Sequence, residues 1–203
     1  MQNPPIKQST FFPFGPGVYL NAIEPKILNE LKEAIDKSID KEEYSARHLL
    51  AGRIGQQFEI EQFCSPAVTG HILQHCQQYL FDLGGQSFDE SMTIDSLWVN
   101  VQRELEINPL HMHTGFMSFV IYIENQLDYE KTINNKYDNV RNEEPMAGHI
   151  MLKYGESNSL NFTNWSMFPQ EGQILIFPSW LTHQVYPHYE EGKVRISVAG
   201  NLS

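Results

Sequence analysis

The hydrophobic period of this chain changes near Thr93, and that change constrains the fold more than any other feature. Downstream of it, Leu97, Val99 and Val101 alternate with Trp98 and Asn100, the two-residue period of a half-buried strand. Further strand-like runs occupy 117–124, 149–154, 173–177, 182–186 and 193–202. Turn formers separate them, among them Pro109, Gly148, Gly155, Pro169, Gly172 and Gly192. Upstream, the period is helical. Residues 25–39 carry Ile27, Leu28, Leu31, Ile35 and Ile39 at helical spacing. A second helix is predicted to start at Ser65-Pro66, an N-cap followed by proline in the first turn. It puts Val68, Ile72, Cys76, Tyr79 and Leu80 on one face and stops at Gly84-Gly85. Helices followed by many short antiparallel strands predict an α+β fold, with a jelly-roll (double-stranded β-helix) core and supporting N-terminal helices. One domain over 1–203 is expected.

Composition narrows the function classes. A chain of 203 residues with 41% apolar and 12% aromatic content can bury a substantial core without disulfides. A net charge of −11 with no basic stripe argues against binding nucleic acid through its phosphates. Cys64 and Cys76 form neither a dense framework nor a Cys-x-x-Cys motif, and read as reduced thiols. Residues 1–10 lack the apolar core and cleavage site of a secretory signal, and no run reaches the ~20 apolar residues of a membrane span. The expected location is cytoplasmic. The polar stretch 125–145, rich in Asn, Asp, Glu and Lys, breaks the strand rhythm and is expected to be disordered or to cover a site as a lid.

His111 and His113 stand two apart just after Asn108-Pro109, and strand residues two apart point to one face. Alone, such a pair is a weak metal signal and reads sooner as exposed histidines on a polar strand face. His183 follows the apolar run Ile174-Leu-Ile-Phe177 and the turn Pro178-Ser-Trp180; alone it reads as a core histidine bonded to a backbone carbonyl. Together, two separate strands would deliver three imidazoles to the open mouth of a jelly roll. Imidazoles suit iron, zinc, copper or nickel, and three ligands on one face leave the open positions that oxygen-activating Fe(II) needs.

Arg195 lies twelve residues beyond His183, with Ser197 two further on. Val194, Ile196 and Val198 would face an apolar layer and Arg195, Ser197 and Ala199 the opposite way. If that opposite face lines the interior, the guanidinium must meet a carboxylate, because an unpaired buried charge is very costly. Its fork of donors makes two parallel bonds to a carboxylate, and Ser197 can add a third. Other polar residues rank lower. His149 reads as a surface histidine, and His48, His71, His75 and His188 lack ligand spacing, although His71 and His75 are four apart on a helix. Trp98, Trp165 and Trp180 read as core or rim. Glu104 and Glu106 are the spare carboxylates nearest the site.

These residues together resemble the 2-oxoglutarate- and Fe(II)-dependent oxygenases, whose pattern is His-x-Asp/Glu, a distal His, and Arg-x-Ser about a dozen residues later. The nearer likeness is to a group of such oxygenases in phages and bacteria that carry Trp-x-Asn, Asn-Pro-x-His-x-His, Phe-Pro-Ser-Trp-Leu-x-His and Arg-Ile-Ser-x-Ala-x-Asn. Here these are Trp98-Val-Asn100, Asn108-Pro-Leu-His111-Met-His113, Phe177-Pro-Ser-Trp-Leu-Thr-His183 and Arg195-Ile-Ser-Val-Ala-Gly-Asn201. His113 departs from the broader pattern, standing where a carboxylate completes the usual metal triad. It ligates instead, or a carboxylate comes from elsewhere, or the position is vacant; strand parity favours the first.

The resemblance implies Fe(II) held by His111, His113 and His183, with no catalytic residue beyond the ligands. It implies 2-oxoglutarate as cosubstrate, chelating the metal and placing its far carboxylate on Arg195 and Ser197. Asn100 and Tyr122 are further expected cosubstrate contacts, Tyr122 only if a bulge turns it inward. The reaction would consume dioxygen, release succinate and CO2, and hydroxylate a small-molecule or peptidyl substrate, in the host cytoplasm if the gene is a phage's. A three-histidine cupin-like dioxygenase without cosubstrate, and a non-catalytic jelly-roll binding or structural protein, are the competing readings.

Overall fold

The computed structural model describes residues 9–11, 15–47, 52–84, 92–133, 146–156, 158 and 162–203. Strands β1 (Ser9–Phe11) and β2 (Val18–Ala22) precede helix α1 (Pro25–Ser38), and β3 (Gln56–Glu59) precedes helix α2 (Pro66–Asp82). Then come β4 (Ile94–Gln102), β5 (Asn108–His111) and β6 (Met117–Asn125), and a short helix α3 (Tyr129–Ile133). Strands β7 (Ile150–Lys153), β8 (Asn164–Met167), β9 (Gln173–Pro178), β10 (Thr182–Val185) and β11 (Arg195–Leu202) complete the order. They form a seven-stranded sheet, β1-β2-β9-β6-β11-β4-β3, and a four-stranded sheet, β5-β10-β7-β8, with antiparallel pairings in both. This is the jelly-roll core of an α+β fold.

Alternation decides which side of the large sheet does what. Leu97, Val99 and Val101 of β4, Met117, Phe119, Ile121 and Ile123 of β6, and Ile174 and Ile176 of β9 point outward to the helices. There they meet Ile27, Leu31 and Ile35 of α1 and Val68, Ile72, Cys76, Tyr79 and Leu80 of α2. Burying a large aliphatic side chain contributes about 1.5–3 kcal/mol, so this layer is the main hydrophobic stabiliser. A smaller cluster fills the space between the sheets: Val18, Tyr122, Ile150, Leu152, Leu175, Phe177 and Leu181. Strand β4 is therefore covered on both faces, by helices on one and by the inter-sheet space on the other, where the sequence suggested a half-buried strand.

Local signals account for the helices. The Ser65 side chain accepts the Val68 N–H at 3.3 Å, so α2 starts where a hydroxyl satisfies one of its orphan donors. Glu24 makes no such bond at α1, and Pro25 alone marks that start. Strands β1, β2, β3 and β8 are elements that the periodicity did not announce. Of the expected lid, residues 129–133 form α3, and 134–145 lie outside the described residues, as does His48.

Candidate metal centre

The two strand-borne histidines meet because β5 and β10 are neighbours, with His183 directly opposite His111 in the register. Residues opposed in an antiparallel pair carry side chains on one face within touching distance. The rings are 4.2 Å apart between centroids. Strand β5 ends at His111, yet His113 stays in place because its backbone N–H donates to the Ser179 carbonyl at 2.9 Å, in the turn after β9. Its ring lies 4.9 Å from that of His111 and 5.1 Å from that of His183. One ligand atom from each of the three lies within 4.8 Å of the others, and no other such His, Cys, Asp or Glu group occurs among the described residues.

Each ring's chemistry is set by what surrounds it. Nδ1 of His183 faces the Leu181 carbonyl at 2.9 Å, and Nδ1 of His111 faces the Pro109 carbonyl at 2.6 Å. A carbonyl only accepts, so both Nδ1 atoms carry the hydrogen; Nε2 of His183 keeps a free lone pair, and that of His111 meets only the Asn108 amide nitrogen at 3.5 Å, a long contact that an ion would displace. Burial holds the imidazoles neutral: it pushes His183 down to about 3 and His113 to about 4, with repulsion from His111 adding in each case, and lowers His111 too. Three neutral nitrogen donors fit Fe(II) chemically, together with other borderline divalent ions.

Arg195, Ser197, Asn100 and Tyr122 line the same cavity as the three histidines. Along β11, Val194, Ile196 and Val198 join the helix-side core while Arg195, Ser197 and Ala199 face the cavity, as their alternation requires. Arg195 is buried, 3% exposed, and donates to the Gly148 carbonyl and to Oε1 of Gln102. It has no carboxylate partner among the described residues, so its charge is unmatched. Burial lowers its pKa, a cost that a bound carboxylate would offset. Tyr122 faces inward with Ser118 and Val120 on β6. The β6–β11 register slips beyond it, where Ile196 opposes Glu124 and Ser197 opposes Tyr122. Counting parity from His111 is not informative here, since β5 belongs to the other sheet.

The sequence reading missed Gln102 and Gly148, which hold Arg195, and Gln57, whose Nε2 donates to Oδ1 of Asn100 at 2.7 Å. Gln102 could have been found, for it stands two residues beyond Asn100 on the same face of β4. Gly148 offers a carbonyl and no side chain; with φ at +70° and a Cβ that would meet Phe168 at 3.0 Å, the position requires glycine. His149 is buried beside Tyr129 and Phe168 rather than on the surface, and its Nδ1 faces the Ala147 carbonyl. His188 is fully buried, with both ring nitrogens unpartnered among the described residues. Glu106 spends its two oxygens on the N–H groups of Gly55 and Arg103, and neither it nor Glu104 joins the histidine cluster. Trp98 packs against His113, and Trp180 stands half exposed beside Tyr154.

A family model described as "Putative 2OG-Fe(II) oxygenase" matches residues 96–201, which span every residue of the site named above except Gln57. No curated protein matches the chain in sequence. Among solved structures, a prolyl-4-hydroxylase from Pseudomonas putida is similar, with a TM-score of 0.55 and 13% identity, covering 91% of each chain. A viral collagen prolyl hydroxylase from Paramecium Bursaria Chlorella virus-1, in complex with 2OG, is similar with a TM-score of 0.54 and 12% identity, covering 91% of this chain and 94% of that one. HygX from Streptomyces hygroscopicus, with nickel, 2-oxoglutarate and hygromycin B bound, is similar with a TM-score of 0.52 and 9% identity, covering 92% and 83%. At these identities the likeness is one of fold. No helix among the described residues is long and apolar enough to cross a membrane.

Proposed function

Because the chain belongs to the 2OG-Fe(II) oxygenase family, and is thus an Fe(II)- and 2-oxoglutarate-dependent dioxygenase, we propose that His111, His113 and His183 hold its iron and that Arg195, with Ser197, anchors its cosubstrate. The observation that carries this reading is the pairing, in one cavity, of a three-imidazole cluster with a buried guanidinium that meets no carboxylate among the described residues. A cosubstrate-free dioxygenase gives that guanidinium nothing to meet. Bound Fe(II) and 2-oxoglutarate supply the oxidising power that hydroxylates a substrate, with succinate and CO2 as by-products.

The protein's own groups supply position and dryness. The Pro109 and Leu181 carbonyls fix the tautomers of His111 and His183 so that Nε2 presents a lone pair. Gly148 and Gln102 hold the Arg195 guanidinium in place, and its remaining N–H groups would bind the carboxylate. Asn100 and the hydroxyl of Tyr122, kept protonated by burial that raises its pKa to about 12, offer further donors to the cosubstrate. The substrate is a small molecule or a peptidyl side chain.

The test is anaerobic titration of the purified protein with Fe(II) and then 2-oxoglutarate. A visible metal-to-ligand charge-transfer band and succinate release on admitting oxygen are expected. His183→Ala should lose the band, and its persistence would remove His183 from the ligand set. Iron uptake without any band would defeat the cosubstrate assignment.

A further inference from the structure

We propose that this cavity binds a third component that is anionic: a carboxylate group of the substrate, or a free monoanion such as chloride. It would occupy the space that the histidine cluster shares with the amide groups of Asn100 and Asn201. The proposal rests on the metal and cosubstrate reading above and adds to it the charge of what comes next.

The first observation is what the cavity wall lacks. Among the described residues, none that lines it is Asp or Glu, although the chain has 25 acidic side chains against 14 Lys and Arg. Acidic residues are the commoner charge here, so their absence from the wall is not a matter of supply. Among the described residues the wall's one fixed charge is Arg195, and an imidazole that ligates a metal does so as the neutral base.

The charge count then fails to close. Iron(II) and Arg195 together bring three positive charges, 2-oxoglutarate brings two negative ones, and one positive charge is left over. With a carboxylate in the place of His113, the same count would reach zero. An uncompensated charge in a water-poor cavity is costly, and a bound anion offsets it directly.

The polar groups on the wall are turned to suit an anion. Oδ1 of Asn100 accepts from Gln57 at 2.7 Å, and Oδ1 of Asn201 accepts from Ser118 at 2.7 Å. Both asparagines therefore have their carbonyl ends engaged, and neither NH2 group has a partner among the described residues. The two spare donors of Asn100 and Asn201 attract a negative group, against the single unpartnered acceptor on the wall among the described residues, Oδ1 of Asn108.

The carboxylates that line the neighbouring clefts stand outside. Glu59, Glu61 and Asp95 line an adjoining cleft that reaches His113 and Trp98, and all three are exposed. Glu42, Glu43 and Glu106 line another beside Gln57, where Arg47 and Arg53 oppose them. Exposed charges act across water and salt, which screen them within about 8–10 Å. They do not balance a charge inside the cavity.

The test uses protein loaded with Co(II) and saturated with 2-oxoglutarate under anaerobic conditions. Azide and chloride form one arm, and acetate and longer carboxylates the other; Co(II) absorption bands and calorimetry report binding. A saturable response is expected, weakened at least about tenfold in His113→Asp, which restores the missing charge. Asn100→Asp, which can still accept from Gln57, should weaken it similarly. Saturation by azide or chloride identifies a free anion as the third component. A response confined to organic carboxylates identifies a group of the substrate. No saturable response across the millimolar range, in protein that has taken up Co(II) and 2-oxoglutarate, would overturn the proposal and leave the functional reading standing, as would equal affinity in both variants. Failure to take up Co(II) or 2-oxoglutarate would overturn both.

Discussion

Arg195 donates to the Gly148 carbonyl and to Oε1 of Gln102, two neutral acceptors that hold the guanidinium without cancelling its charge. The Gln102 amide cannot turn round, because its Nε2 donates to the Glu106 carbonyl at 2.6 Å and the Tyr186 carbonyl at 3.2 Å. Gln102→Glu would set a carboxylate against Arg195 where the cosubstrate's own should bind. The expected result is a 2-oxoglutarate KM at least about tenfold higher with kcat at saturation largely kept, since charge-assisted bonds contribute about 1.5–3 kcal/mol each. An unchanged KM in steady-state assays would free Arg195 from this role. Arg195 and Ser197 were legible from alternation on one strand and from their distance to His183. Gly148 was not, because a backbone carbonyl leaves no mark in a sequence. Tyr122 faces the cavity beside a register slip, although parity counted from His111 could not place it, because parity carries along one strand and does not cross to another sheet.

Helix α2 carries His71 and His75 four residues apart, on the side facing β2. Nε2 of His75 lies 3.1 Å from Nε2 of His71, and its Nδ1 lies 2.9 Å from the Tyr19 hydroxyl, which also accepts from Asn21. Burial, aided by His71, pushes His75 down to about 4. Its folded pKa is below the unfolded 6.5, so the unfolded chain takes the proton first. The neutral ring's contribution to stability is therefore complete above pH 6.5 and fades as pH falls towards 4. In the metal-free protein, the pH slope of stability in that window should become shallower by about one proton in His75→Phe. Urea midpoints measured at several pH values check this, and an unchanged slope would mean that His75 is not buried neutral. Both helices and the long strands were readable because their apolar residues repeat cleanly. Strand β8, Asn164–Met167, was not, since its burial is only partial and its residues do not alternate by polarity.

In the whole molecule, the site joins two sheets that otherwise meet through a modest apolar cluster. His111 and His183 belong to the four-stranded sheet, and Asn100, Arg195 and Ser197 to the seven-stranded one. A metal and cosubstrate bound together should therefore fasten one layer to the other. At ligand concentrations about 100-fold above Kd, linkage contributes about 2.7 kcal/mol, or roughly 5–10 °C in Tm for a domain of this size. Thermal unfolding with Co(II) and 2-oxoglutarate added together should show that rise, and 2-oxoglutarate alone should give much less. Equal effects would mean that the cosubstrate binds without the ion. The jelly roll was legible as a class from the number and spacing of short strands. Which strands are neighbours was not, because pairing between distant segments depends on packing that no local pattern encodes.

Strand β11 lies between β4 and β6, though both precede it by a long stretch of chain. While residues 126–194 are being synthesised, β4 and β6 each hold a bare edge towards the same gap, ready to pair with any extended peptide that drifts in. The insertion that carries Arg195 into the cavity is thus also what closes both edges. Substitutions that weaken β11 are expected to lower the soluble fraction on expression, measured against the unaltered chain.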